Sequence, residues 1–109
     1  MAAVDDGWMA WVDGAGDVRI RALDSLKHGC GMAWLPAGTR PSVIRLGFEA
    51  DGAHLLVARS QALERYRIAD ASELASWSLK APELAIRARK DGATDVLLGN
   101  GSMVSLPAP

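Results

Sequence analysis

The chain has 109 residues, 50% of them apolar, and its 12 Lys+Arg against 13 Asp+Glu leave a net charge of −1. An apolar fraction of that size in one domain's worth of chain excludes bulk disorder. The near-zero charge disfavours a dedicated nucleic-acid or anionic-membrane binder, which carries a basic excess, and the single cysteine, Cys30, excludes an internal disulfide and a cysteine metal cage.

The first seven residues hold two acids, no basic residue and no apolar stretch, so they do not read as a secretory signal. The longest apolar runs, Trp8 to Val12 and Leu55 to Ala58, fall far short of the ~20 residues that a membrane helix needs. A cytoplasmic location is therefore expected. The first predicted strand is 8–12. Trp8 and Trp11 point to opposite faces of it, so one belongs to a core. The other is a candidate interface anchor, or a platform on which a sugar stacks. Gly14-Ala15-Gly16 then reads as a hairpin loop leading to a strand at 18–23; no helix follows it, so it is not a phosphate cradle. Cys30, between Gly29 and Gly31, reads as a small buried apolar residue, and His28 beside it completes no nucleophile motif. A strand at 31–35 carries Trp34.

From Pro41 onward the alternation sharpens. Ile44, Leu46 and Phe48 alternate with Arg45, Gly47 and Glu49, which predicts a strand at 43–48. Asp51-Gly52 is a tight-turn signal, since glycine accepts the positive φ that such a turn demands. Strands are predicted next at 54–58, 63–69 and 75–79, and then at 84–89, 95–98 and 102–106, which makes ten. His54 follows a turn and reads as a surface or satisfied histidine; two isolated histidines without an acid cluster predict no metal site. Arg65, Arg67, Arg87, Arg89 and Lys90 fall on the polar side of their strands, where they are candidates for a patch that meets an acidic partner. The stretch from Ser60 to Lys90 is also rich in helix formers, so two helices broken at Pro82 compete with the strands.

A repeat decides that competition. The segment 41–57 matches 82–98 at an offset of 40 to 41. Ile44 falls on Leu84, Leu46 on Ile86, Phe48 on Ala88, Asp51-Gly52 on Asp91-Gly92, and Leu55-Leu56-Val57 on Val96-Leu97-Leu98. An earlier copy begins at Asp6-Gly7, and Trp34 and Trp77 take similar places as inter-unit packing residues. Four short strands every ~40–45 residues is a blade-like spacing.

The unit runs from Ile44, Leu46 and Phe48 through Asp51-Gly52 and Leu55-Leu56 to Leu63, Tyr66, Ile68 and Trp77. It resembles a blade of WD-repeat and related β-propellers. The Trp-Asp pair that names the family is absent: Arg21 to Asp24 and Arg67 to Asp70 stand at the matching positions. The Gly-His pair is absent too, so the family's hydrogen-bond tetrad is not carried over. The resemblance implies an all-β fold of about two and a half four-stranded antiparallel blades: a partial blade at 1–38, a full blade at 39–81 and a partial blade at 82–109. A propeller closes with 4–8 blades, so completion by copies of the chain or by another chain is expected. The leading functional expectation is a non-enzymatic protein–protein interaction module or subunit, an assembly scaffold that needs no cofactor. A propeller binding a small ligand or glycan through an exposed tryptophan is the alternative. A third is a non-catalytic piece of a larger propeller-containing enzyme or sensor.

Overall fold

The computed structural model describes residues 2–4, 7–23 and 33–109. Asp6, His28 and Cys30 lie outside the described residues. Eleven strands are present among these: β1 Ala2–Val4, β2 Trp8–Val12, β3 Val18–Ala22, β4 Ala33–Leu35, β5 Arg45–Phe48, β6 His54–Arg59, β7 Ala62–Arg67, β8 Glu73–Ser78, β9 Glu83–Ala88, β10 Thr94–Leu98 and β11 Met103–Leu106. They make three antiparallel sheets, β1 to β4, β5 to β8 and β9 to β11, each strand pairing with the next in the chain. The architecture is all-β. The stretch whose composition also suits helices forms β7, β8 and β9, because pairing and burial override a weak intrinsic preference.

Ten strands agree with the expected ones to within two residues at either end. The eleventh, β1, is three residues long and too short to display alternation in the sequence. It pairs with β2 through Ala2–Trp11, Ala3–Ala10 and Val4–Met9, so the first sheet has four strands rather than three. The divisions between sheets fall in the segments 36–44 and 79–82.

The turns form as their residues dictate. Gly52 and Gly92 take φ of 68° and 90°, and their amides donate to the carbonyls of Glu49 and Arg89. The preceding aspartates supply the rest: Asp51 Oδ1 accepts from the Ala53 amide at 2.9 Å, and Asp91 Oδ1 from the Ala93 amide at 3.1 Å. Asp13, Asp70 and Asn100 close three further hairpins in the same way, onto the amides of Ala15, Ser72 and Ser102.

Pairing fixes how the repeats superpose. Leu46 pairs with Val57 and Ile86 pairs with Val96, so Val57 and Val96 are equivalent. The expected match of Leu55-Leu56-Val57 to Val96-Leu97-Leu98 is thus two residues out. The cause is turn length: the Glu49 amide bonds the His54 carbonyl, whereas the Arg89 amide bonds the nearer Ala93 carbonyl. A slip of two keeps every side chain on its face.

Two cores lie between the three sheets. Ala10 and Val18 of the first sheet pack with Leu46, Leu55, Val57, Tyr66 and Ile68. Leu56, Ala58, Leu63 and Leu79 pack with Val96, Leu98 and Leu106 of the third. Consecutive residues of β6 thus feed opposite cores, and Leu55, Leu56, Val57 and Ala58 are all fully buried. Trp34 reaches across the first core: its Nε1 donates to the Ile68 carbonyl at 2.9 Å and its ring meets Tyr66 edge-on at 5.7 Å. Trp77 packs on the second core. The first strands of the sheets run side by side, β1 against β5 and β5 against β9. Gly47 sets the second approach, because a Cβ there would lie 3.0 Å from Ile86 Cγ2.

Candidate functional site

Among the described residues, the middle sheet is covered on both faces and each outer sheet on one. Directly paired residues share a face, so the two open faces can be read from the pairing. On the first sheet, Ala2, Trp11 and Arg19 form one cross-strand row, and Val4, Met9 and Arg21 form the next. Val4 is 64% exposed, and Met9 and Trp11 are half-buried. On the third sheet, Ala85, Leu97 and Met103 form one row, and Arg87, Asp95 and Ser105 the other.

The two tryptophan candidates separate as opposite faces require. Trp8 packs against the first core, while Trp11 stands on the open face. Trp8 also borders two depressions. One is a groove of about 690 Å³ along the inner strands, lined by Ala3, Trp8, Phe48, Asp51, Ile86 and Ala88 among others. The second, of about 410 Å³, lies among Trp8, Gly52, Ala53, His54, Arg67 and Ile68. Two sequence candidates, Trp8 and Arg67, therefore meet at one cleft. His54 borders it, with Nδ1 2.6 Å from Asp51 Oδ2.

The arginines do not form one patch. Arg65 was expected on a solvated polar face, and the structure corrects this: it is buried between the second and third sheets. Its Nε donates to Glu49 Oε1 at 2.7 Å, its Nη2 to the Pro107 carbonyl at 2.7 Å, and its guanidinium lies 5.2 Å from the Trp77 ring centre. The physical reason is that a sheet covered on both sides has no polar face. Arg67 is exposed and pairs with Asp70 at the β7–β8 turn, 3.2 Å away. Arg87 and Arg89 lie on the open face of the third sheet. Arg87 donates to Asp95 at 2.9 Å, and Arg89 pairs with Asp91 at 2.8 Å. Ser105 also donates to Asp95, so the Arg87 and Ser105 hydrogen bonds hold this carboxyl below the usual carboxylate range.

One polar cluster was not visible in the sequence. Glu64 Oε1 accepts from Arg59 Nε at 3.0 Å and from the Tyr66 hydroxyl at 2.9 Å. Arg40 Nη1 donates to Glu64 Oε2 at 2.7 Å and to the Tyr66 oxygen at 3.0 Å, and its Nη2 donates to Glu73 at 3.0 Å. Arg59 also caps the Pro41 carbonyl. Burial, reinforced by the Glu64 hydrogen bond, pushes the Tyr66 phenol up to about 12. Two arginines meet two glutamates, so the cluster is closed upon itself and offers no surplus charge to a ligand. The sequence signal was Leu63-Glu64-Arg65-Tyr66, a strand with no alternation, which two covered faces explain.

Among the described residues, no group of three His, Cys, Asp or Glu is placed to hold a metal ion, and no helix is long and apolar enough to cross a membrane. No protein-family model matches the chain, and no curated protein matches it.

Proposed function

We propose that the chain is a protein–protein interaction module, a blade-bearing segment of a larger or oligomeric β-propeller that scaffolds assembly. The observation that carries this reading is the arrangement of the sheets. Three meanders are stacked face to face in chain order along their first strands, and among the described residues no sheet covers either of the two outermost faces. Sheets that bury apolar area against a neighbour on one side are suited to continue the stack on the other. The all-β architecture is compatible with blades, and the resemblance of the repeat unit to WD-repeat-like blades supports the same reading.

Light scattering on the purified chain, and on the chain isolated with whatever it binds, tests it. The expected mass exceeds that of one 11.5 kDa chain. A monodisperse monomer from both preparations would sink the assembly reading. A second reading, a small ligand or glycan held beside Trp8, is favoured by the cleft that Trp8 shares with Arg67 and His54. A sugar panel that quenches tryptophan fluorescence in the native chain and not in Trp8→Phe would support it.

A further inference from the structure

Resting on the assembly reading, we propose that two copies of the chain assemble by exchanging their third sheets. The strands β9 to β11 of each copy leave their own middle sheet and dock on that of the other.

The first support is a contrast between the two junctions. The first junction is apolar in its core and hydrogen-bonded at its polar groups. Val43 and Leu55 belong to that core. The chain around it is latched to the middle sheet: Trp34 Nε1 donates to the Ile68 carbonyl, Arg40 donates to Glu64, Tyr66 and Glu73, and Arg59 donates to the Pro41 carbonyl. In the second junction Glu83 falls at the place of Val43, one residue before the matched Ile44 and Leu84. Thr94 falls at the place of Leu55, since it pairs with Ala88 as Leu55 pairs with Phe48. From the middle sheet, Arg45 and Glu49 share the face of Gly47, which meets Ile86. Both Glu83 carboxylate oxygens, Thr94 Oγ1, Arg45 Nε and Glu49 Oε2 are buried without a hydrogen-bond partner among the described residues. Each such group favours a state in which water reaches it. The second junction is therefore the weaker joint.

The second support is that the third sheet leaves as a unit. Its strands pair only with one another. Among the described residues, no backbone hydrogen bond joins 83–109 to the middle sheet. The connection between β8 and β9 is the short segment 79–82. Short connections of this kind favour the exchange of identical elements between copies.

The third support names the partner. Undocking uncovers Leu56 and Leu63, which are fully buried, and Trp77, which packs beside them. An apolar face of this kind does not stay in water. The surface shown to fit it is a third sheet, with Val96, Leu98 and Leu106. A second copy supplies that surface with the same contacts.

A disulfide reads which copy's third sheet is docked. A Cβ at Gly47 would lie 3.3 Å from Ile86 Cβ, close to the roughly 3.5–4.5 Å that a disulfide spans. Gly47→Cys with Ile86→Cys, in a Cys30→Ser chain, is oxidised by glutathione disulfide. Concentrated solutions should give covalent dimers of the 11.5 kDa chain. Chains oxidised at high dilution should close as monomers and stay monomeric on concentration until reduced. Glu83→Val with Thr94→Val needs no new cysteine and serves if that variant fails to fold. It should slow the return of dimer to monomer on dilution about tenfold, the rate equivalent of ~1.4 kcal/mol. It should leave the dimer fraction unchanged, because both states hold the same junction. Intrachain bonds at every concentration, in a chain whose native mass exceeds one copy, would overturn the exchange and leave assembly standing. So would a native dimer whose dissociation ignores the apolar pair. A native chain that is monomeric alone and with whatever it binds would remove the assembly reading as well.

Discussion

The middle sheet and the third sheet are built from the same repeat and solve different problems. Equivalent places hold Leu56 and Asp95, Ala58 and Leu97, Leu63 and Met103, Arg65 and Ser105. In the middle sheet each first member is buried against a neighbour; in the third sheet the second members of three of these pairs face solvent or lie at its edge. What a strand requires of its residues is thus set by the number of faces covered. The charged residues show it best. Arg65 inside the molecule needs Glu49, the Pro107 carbonyl and the Trp77 ring to offset its desolvation, whereas Arg87, 76% exposed in its side chain, needs only a partner it shares with water.

The largest expected contrast comes from those two arginines. Arg65→Ala leaves the Glu49 carboxylate buried without its cation, and breaking a buried pair costs about 3–5 kcal/mol. Arg87→Ala removes an exposed pair and should cost under about 1 kcal/mol. Urea denaturation of both variants measures the difference, and equal midpoints would show that the burial of Arg65 carries no weight. The apolar version of the comparison is Leu55→Ala against Met103→Ala. Leu55 is fully buried, so its truncation should cost about 2–5 kcal/mol. Met103 stands on the open face and should stay within about 0.5 kcal/mol.

The close approach of the sheets at Gly47 gives the next effect. A methyl group there would meet Ile86 Cγ2 at 3.0 Å and Cβ at 3.3 Å, so Gly47→Ala overpacks the contact between β5 and β9. The expected cost is about 1–3 kcal/mol. Ile86→Ala added to it should recover most of that loss, and a double-mutant cycle with no coupling would mean that the two side chains do not compete for this space.

Glu83 sharpens the comparison through pH. It is buried at the start of β9, and neither carboxylate oxygen is hydrogen-bonded to a described group. Burial raises its carboxyl above the ordinary value, against a smaller opposing pull from its own backbone and from Arg45. The folded state then holds this proton more tightly than the unfolded state. The stabilising contribution is complete below the unfolded value and is lost as pH rises through the folded one. Glu83→Gln should therefore gain stability over the native chain at neutral pH, with the gain shrinking toward acid. Asp13 and Asp95, held low by Arg19 and Arg87, act in the opposite sense and are common to both proteins, so they cancel in the difference. A stability difference that is flat with pH would mean that Glu83 ionises freely.

The sequence made the strands and turns legible because both signals are local. Alternation in 84–89 and the Asp-Gly pairs needed no knowledge of neighbours. It also placed Trp8 and Trp11 on opposite faces. Three things were hidden. β1 is too short for a period to show. The two-residue slip between repeats depends on turn length, which apolar identity at Leu55 and Val96 masks. The burial of Arg65 depends on a second sheet lying over the first, and that is a property of the stack rather than of the strand. The same holds for the site: an open face cannot be told from a covered one until the sheets are placed.

The smallest effect concerns the β7–β8 turn, where Ala71 takes a φ of 58° while the other positive-φ residues described are glycines. An L-residue with a Cβ in this region carries roughly 1–2 kcal/mol of strain. Ala71 holds the conformation because its amide donates to the Arg67 carbonyl and because Asp70 Oδ1 fixes the Ser72 amide beside it. Ala71→Gly removes the strain in the folded state but widens the freedom of the unfolded one, and the second term takes back about 0.4–1 kcal/mol. The net expected gain is a fraction of a kcal/mol, read as a small rise in the thermal midpoint. Because the turn joins two strands of the middle sheet, a loss instead of a gain would show that the packing beside Ala71 needs its methyl group more than the backbone resents it.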